Sequence, residues 1–321
     1  MLRPFTNGIL ILIALALVGC IVSRNKPSPA AVIESKAVAF LKREVPAWSR
    51  ENHCFSCHNN GDAARALYVA SRMGHRIPAP VLEDTTAWVA RPGRWDENKG
   101  DPGFSDKRLA NIQFAASLLA AIEAGHVKDR NALREAARRV LGDQSTDGSW
   151  PIDDGNAVGS PVTYGTTLAT FMALRTLKAA GIPETTTAIQ KADGWLRRTK
   201  PDTVVTAATA LLASQQNSGE SLELIRRAQT SDGGWGPYPD SPPETFDTAL
   251  VLLALAELRA APGVQEMIQR GRGFLMTQQQ RDGGWPATTR PAGGQSYAQR
   301  ISTAGWALLA LLATQNEVTE R

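Results

Sequence analysis

A seven-residue pattern that occurs three times is the feature of this sequence that most limits its fold. The pattern is Gln-x-x-x-Gly-x-Trp, and its copies span residues 144–150, 229–235 and 279–285. Each copy follows a helix-like stretch and precedes a longer apolar stretch rich in Ala and Leu. Self-similarity of this kind predicts a repeat protein, in which each unit is one supersecondary element that packs against the next. A weaker copy, which lacks the Gln, is Gly93-Arg94-Trp95.

The stretches between the copies predict helices in pairs. The second members are apolar nearly all round, which indicates buried helices; they are expected near 62–73, 107–124, 162–180, 202–214, 245–260 and 299–314. The first members are amphipathic, with charged outer faces; they are expected near 35–48, 79–90, 129–141, 185–198, 219–229 and 263–279. Pro and Gly residues occur at the joins. The prediction is an all-α protein of six helical hairpins closed into an α/α toroid.

The last copy and the helix before it resemble the QW motif of squalene–hopene cyclases and their protein prenyltransferase relatives. The matching residues are Arg270, Gly271, Phe274, Leu275, Gln279, Gly283 and Trp285. The resemblance extends over roughly 34–315 and implies a ring with a hollow centre, lined by inner helices, where ligands sit in the relatives. A Gln amide can hydrogen-bond unpaired groups at a neighbouring helix end, and an indole can cover the seam between helices. These motif residues are therefore expected to be structural.

The resemblance does not extend to the residues that perform the chemistry of the cyclases. The cyclases protonate an alkene with the central acid of an Asp-x-Asp-Asp-Thr-Ala motif, and the nearest match here is Glu244-Thr-Phe-Asp-Thr-Ala249. Phe246 stands where the proton donor would be, and a phenyl ring cannot donate a proton. Asp247 is expected to cap a helix N-terminus. A cyclase or lyase acting through Asp247, Glu244, Asp153 or Asp154 is a weaker alternative. The zinc site of the prenyltransferases is also missing, because the chain after the first hairpin has no Cys and only His126.

One motif in the chain carries a chemistry of its own. Cys54-Phe-Ser-Cys57-His58 is a C-x-x-C-H sequence, typical of covalent attachment of a c-type haem. The two thiols would form thioethers with the haem vinyl groups, and the imidazole of His58 would ligate the iron. No distal ligand is obvious in the sequence; the candidates are Met73, His75 and His126.

Three other interpretations of this motif stay open. In an oxidising compartment Cys54 and Cys57 could form a disulfide. The two cysteines with His58 and His53 could hold zinc. The match could also be a coincidence.

The N-terminus is typical of an export signal. Arg3 precedes an apolar run, and Leu17-Val-Gly-Cys20 resembles a bacterial lipobox, which predicts that Cys20 is lipidated. An uncleaved signal anchor is the alternative, although the apolar run ends near Val22, short of the roughly 20 residues of a spanning helix. Export to the cell envelope, anchored to a membrane, agrees with haem attachment, which takes place outside the cytoplasm.

The predicted organisation has four parts: a lipoprotein-type signal at 1–20, a polar tether at 21–33, the toroid at 34–315 with its first hairpin at 34–75, and a tail at 316–321. The net charge of +4 is small and the basic residues are scattered among acids, so nucleic acid is not an expected partner. The expected partners are the membrane, a lipid or other apolar ligand in the ring, and a redox protein. Two classes of function follow, a haem-bearing redox protein and a non-catalytic binding or scaffold toroid.

Overall fold

A computed structural model describes residues 28–99, 106–152, 158–214, 219–290 and 292–315, and it contains all six predicted helix pairs. The outer helices are α1 (Pro29–Asn52), α3 (Ala79–Val89), α5 (Arg130–Gly142), α7 (Thr186–Arg198), α9 (Gly219–Ala228) and α11 (Val264–Gln278). The inner helices are α2 (Ala64–Arg72), α4 (Lys107–Glu123), α6 (Gly165–Ala180), α8 (Val204–Ala213), α10 (Thr245–Ala256) and α12 (Tyr297–Ala313). Short 3-10 turns cover Pro92–Glu97 and Pro183–Thr185.

The inner helices form a closed ring. Each packs against the next from α2 through α4, α6, α8 and α10 to α12, and α12 packs in turn against α2. Each outer helix packs on inner helices, and α1 lies against α12, where the ring closes. The predicted all-α toroid of six hairpins is confirmed.

The first helix begins earlier than the sequence suggested. Ser28 caps α1 by accepting a hydrogen bond from the Ala31 amide at 3.2 Å, so residues 29–33, which were assigned to the tether, are helical. The predicted signal at 1–20, the lipidation site Cys20 and the tail at 316–321 lie outside the described residues. Within the described part of the chain, no helix is both long and apolar enough to cross a membrane.

The glutamines of the three repeats join neighbouring hairpins. Each Gln amide donates to the Gly carbonyl of its own loop at 2.8–3.1 Å and to a carbonyl near the beginning of the next outer helix at 2.9–3.0 Å. The latter acceptors are Ala188, Met267 and Ile33 for Gln144, Gln229 and Gln279 in that order. Gln279 therefore closes the ring, because Ile33 belongs to α1. The Gln amides were expected to bond unpaired groups at a neighbouring helix end. That expectation is wrong in one respect, because the acceptor carbonyls belong to residues within the helix, near its beginning.

The tryptophans of the repeats are fully buried. Each indole Nε1 donates to a carbonyl ten residues earlier, at 2.7 Å for Trp150 and Trp235 and at 2.8 Å for Trp285. The acceptors lie near the end of the preceding outer helix, where carbonyls lack partners within the helix. The same contacts recur in three hairpins, which explains why the spacing between Gln and Trp does not vary.

Candidate functional site

The C-x-x-C-H motif lies where the first hairpin turns inward. Residues Cys57–Ala63 form a π-helical turn that leads directly into α2. The Ser56 side chain caps this turn by accepting the His58 and Asn59 amides at 3.1 and 3.4 Å. Ser56 is thus the cap of a turn that begins at Cys57, and His58 is the second residue of this turn, which leads into the inner helix α2.

Neighbouring segments fix the loop before the turn. Asn98 donates to the Phe55 carbonyl at 2.7 Å and accepts the Phe55 amide at 2.9 Å. The Phe55 ring stacks on Trp88 with centroids 4.5 Å apart and planes 7° from parallel. The motif is therefore held by the second hairpin as well as by its own.

Both cysteines of the motif are half-buried free thiols. Burial raises the pKa of the Cys57 thiol to about 12, and the charge of Asp62 is the second largest cause of this rise. Cys57 is consequently protonated at neutral pH and is a poor nucleophile, because the thiolate is the reactive form. No group of three or more His, Cys, Asp or Glu side chains is placed to hold a metal ion in the described part of the chain. The four potential zinc ligands are thus not gathered in one site.

The ring of His58 has one nitrogen in a hydrogen-bond chain. Its Nδ1 lies 3.2 Å from Ser302 Oγ, and Ser302 donates to Asp62 at 2.8 Å. Since the Ser302 proton points to Asp62, the serine oxygen accepts from Nδ1–H, which leaves the Nε2 lone pair unprotonated. Nε2 faces Cys57 Sγ at 3.6 Å. Burial lowers the pKa of His58 to about 4, so the imidazole is neutral at neutral pH.

Asp62 is the centre of a buried polar cluster that the sequence analysis missed. Its carboxylate accepts hydrogen bonds from Tyr164, Ser302 and Gln113, the last at 2.9 Å. The side chain is 1% exposed, and burial raises its pKa, while Arg65 opposes the shift. Tyr164 adopts a φ of +62°, which residues with a side chain rarely do. The sequence contains one signal for this cluster. Asp62 lies four residues after His58 and three residues before Arg65, a spacing that places the three side chains on one face of a buried helix.

Arg65 lies on the same helix face as His58 and Asp62, and it lines the central cavity. It is 5% exposed, and its guanidinium carbon lies 4.2 Å from the centre of the Trp306 ring. Its Nη1 lies 3.7 Å from the sulfur of Met172. Trp306 is held in turn by the edges of Tyr164 and Phe246, with ring centroids 5.6 Å away in both cases.

A cavity of about 810 Å³ opens toward the C-terminal ends of the inner helices. Side chains of all six inner helices line it. The apolar wall includes Leu119, Phe171, Leu211, Leu253, Leu309 and Leu312. Arg65 and Trp306, which come earlier in their helices, form the floor, and Arg72, Glu123, Lys178 and Glu257 lie near the mouth.

The three candidate distal ligands lie at the end of the ring away from His58. Met73 and His75 follow the last turn of α2, and His126 contacts Ser71 at 3.1 Å and the Tyr68 ring. Fifteen helical residues separate His58 from Met73, which is about 20 Å along the axis. The structure therefore does not bring any of them near an iron atom ligated by His58.

The segment that corresponds to the cyclase acid motif is part of the core. Phe246 is buried against Trp306, and Asp247 is fully buried in an ion pair with Arg290 at 2.8 Å; Glu244 contacts the same guanidinium. The expected cap is wrong, because the carboxylate of Asp247 pairs with Arg290; the first-turn amide of Phe246 donates instead to Thr288 Oγ1 at 3.1 Å. Burial raises the pKa of Asp247 to about 7. Asp153 and Asp154 lie outside the described residues.

The geometry defines a class of protein, an α/α toroid with cyclase-type repeats. Residues 205–321 match the squalene-hopene cyclase C-terminal domain. A squalene-hopene cyclase from Schizosaccharomyces japonicus is 32% identical over 111 residues, a match that covers 26% of this chain and 17% of that protein. The chain thus resembles these cyclases in part and spans only a small share of that relative's length.

Solved structures share the whole ring. The type II terpene cyclase MstE from Scytonema has a TM-score of 0.58 at 15% identity, over 90% of this chain and 98% of that one. A further structure of that cyclase contains geranylgeranyl dihydroxybenzoate, its substrate. A glycosidase in complex with glucose has a TM-score of 0.56 at 13% identity, over 89% of this chain and 98% of that one. At these identities the likeness concerns the fold alone.

Proposed function

We propose that the toroid binds an apolar molecule in its central cavity. The observation that carries the proposal is the cavity of about 810 Å³, lined by apolar side chains from all six inner helices. Small-molecule sites have volumes of about 300–1,000 Å³ and predominantly apolar walls with few polar groups. The substrate of the Scytonema cyclase has a polyprenyl chain, which supports a lipid-like ligand. The glycosidase neighbour illustrates that this ring serves other chemistry as well.

Reducing the volume of the cavity should weaken this binding. Ala213 lines the cavity and is half-buried, so tryptophan at this position projects into the cavity with little disturbance of the core. We expect the neutral fluorophore N-phenyl-1-naphthylamine to bind the unaltered protein and to bind Ala213→Trp at least about tenfold more weakly, because the added side chain occupies its space. Fluorescence titration measures both affinities. Ala261→Trp, half-buried outside the cavity, is the matched control; equal binding by all three proteins would refute the proposal.

We infer a second function, attachment of a c-type haem at Cys54 and Cys57 with His58 as the iron ligand. The donor set fits this group, because both thiols are free and His58 uses Nδ1 for Ser302, so that Nε2 contacts only the thiol of Cys57, at 3.6 Å. Metal-ligating histidines commonly donate their other ring N–H to a partner that fixes the tautomer, which is the arrangement in which Ser302 and Asp62 hold His58. When bound, the haem supplies a one-electron centre, which would require a redox partner. An exported chain anchored through Cys20 is part of this proposal.

One preparation tests the haem and the anchor together. The full chain is expressed in a bacterial host with the c-haem maturation machinery and analysed by haem stain after denaturing electrophoresis and by intact mass. We expect a stained band, a mass increase for one haem, and acyl groups on a chain that begins at Cys20. The Cys54→Ala, Cys57→Ala double variant should lose the stain and keep the acyl groups. A colourless band from the unaltered chain would refute the haem, and an unmodified Cys20 would refute the anchor.

A further inference from the structure

We propose that the ligand of the central cavity is an amphiphile with an acidic head group, and that Arg65 binds this head group at the floor of the cavity. The inference rests on the proposed ligand-binding function and adds the chemical class of the ligand. It follows from a buried cation at the floor of the cavity, two of whose donor atoms have no hydrogen-bond partner among the described residues, beneath walls that are mostly apolar.

Arg65 is a buried cation with incomplete pairing. A guanidinium has five N–H donors, and burying it without hydrogen bonds is costly. Its Nε and Nη2 atoms have no hydrogen-bond partner among the described residues, and Nη1 faces only the sulfur of Met172, a weak acceptor. Asp62 balances part of the charge, but its carboxylate already accepts three hydrogen bonds from other residues. The free donors therefore suit an oxyanion, to which a guanidinium binds with two parallel hydrogen bonds.

The plane of this guanidinium is held before any ligand arrives. It lies over the Trp306 ring at 4.2 Å, in the geometry of a cation–π contact. The rings of Tyr164 and Phe246 both pack on Trp306 in T-shaped geometry and restrict its rotation. Because Nε and Nη2 are covered by surrounding atoms in this structure, a head group reaches them only after a local shift at the floor of the cavity.

The rest of the cavity has the character expected for an amphiphile. Four basic and two acidic side chains line it, so its lining is positive. Two of the basic ones pair with acids: Arg72 with Glu123 at 3.1 Å and Lys178 with Asp193 at 2.9 Å. Burial, followed by the charge of Arg65, lowers the pKa of Arg175, while the carboxylates of Glu123 and Glu257 act in the opposite direction. Between floor and mouth the wall is mostly apolar over about 10 Å, the rise of the seven residues from Arg65 to Arg72, with Arg175 and Thr176 among its polar members.

The test compares three probes with the same twelve-carbon tail: laurate, dodecyl phosphate and dodecanol. Isothermal titration calorimetry below the micelle-forming concentrations gives the affinities for the unaltered chain and for Arg65→Met. We expect at least one acid to bind about 10- to 100-fold more tightly than dodecanol, and Arg65→Met to remove this preference while dodecanol binding stays within about threefold. A preference for only one of the two acids supports the proposal and identifies the head group as carboxylate or phosphate.

Two controls separate recognition from a structural role. Arg226→Met removes an exposed arginine of α9 outside the cavity and should keep the preference. Arg65→Lys keeps the charge without the planar fork and should restore part of the preference. If all three probes bind the unaltered chain equally, the acidic head group is refuted while the proposed function stands. If none binds, both are refuted. A preference unchanged in Arg65→Met would show that another group recognises the acid.

Discussion

Alanine in place of Gly283 should lower the free energy of unfolding by about 2–5 kcal/mol. Gly283 has a φ of +94°, and a Cβ at this position would lie 2.2 Å from the carbonyl oxygen of Lys36. Lys36 belongs to α1, and Gln279 ties the same loop to Ile33 at 2.9 Å. The added methyl group therefore pushes apart the first and last hairpins at the point where the ring closes, and backbone atoms cannot yield as a flexible side chain would. Urea denaturation followed by circular dichroism measures the effect.

Two other glycines separate the causes of this effect. Gly293 has a φ of +84° with nothing within 4 Å of an added Cβ, so Gly293→Ala should cost only the backbone strain, about 1–2 kcal/mol. Gly273 lies within α11 with open space around it, and Gly273→Ala should be neutral or stabilise by up to about 1 kcal/mol, because alanine favours helix. If Gly283→Ala cost no more than Gly293→Ala, the close approach to α1 would have no energetic role.

Alanine in place of Asp62 should destabilise the protein by about 3–5 kcal/mol. Three donors, Gln113 of α4, Tyr164 just before α6 and Ser302 of α12, would lose their shared acceptor in the interior. The Arg65 charge would lose its nearby carboxylate as well. Each unsatisfied buried polar group costs about 1–3 kcal/mol, although relaxation and water entry reduce the sum. Chemical denaturation at pH 7 gives the difference.

The control removes a carboxylate that lacks these partners. Glu223 forms an exposed ion pair with Arg226 three residues later on α9, and Glu223→Ala should cost less than about 1 kcal/mol. Combining Asp62→Ala with Arg65→Met should cost less than the sum of the single changes, because each removes the reason for burying the other. Additive losses, or an Asp62→Ala protein within about 1 kcal/mol of the original, would contradict the central role of Asp62.

The fold could be predicted from the sequence because its signals are local and repeated. Gln, Gly and Trp in the same spacing make the same contacts in three hairpins, and the second bond of each Gln joins its hairpin to the next outer helix around the ring. The apolar inner helices and the charged outer helices differ in composition, so the layer of each helix was also predictable. The start of α1 was missed, since a Pro at the first turn of a helix is compatible with a tether as well.

The candidate sites were predicted only in part. The role of Asp247 was misjudged because its partner, Arg290, lies in a loop 43 residues later, and short-range reasoning offered a cap instead. The distal-ligand candidates were chosen by proximity in sequence, yet a helix carries residues 58 and 73 to opposite ends of the ring. No pattern of neighbouring residues in the sequence indicates that hydrogen-bond donors of Arg65 lack partners among the described residues.

By itself, the sequence determined the repeat, the two layers of helices and the closed ring, because each depends on periodicity and on contacts between adjacent hairpins. It also singled out the Cys54–His58 motif, because the C-x-x-C-H pattern consists of five consecutive residues. Only the tertiary structure decided that Tyr164 and Ser302 donate hydrogen bonds to Asp62 at the axis of the ring. These residues are 102 and 240 positions away from Asp62 in the chain. The same closure places Arg65 under an apolar cavity. The physical reason is that a ring brings distant helices to one axis, and burial there turns ordinary polar side chains into strongly interacting ones.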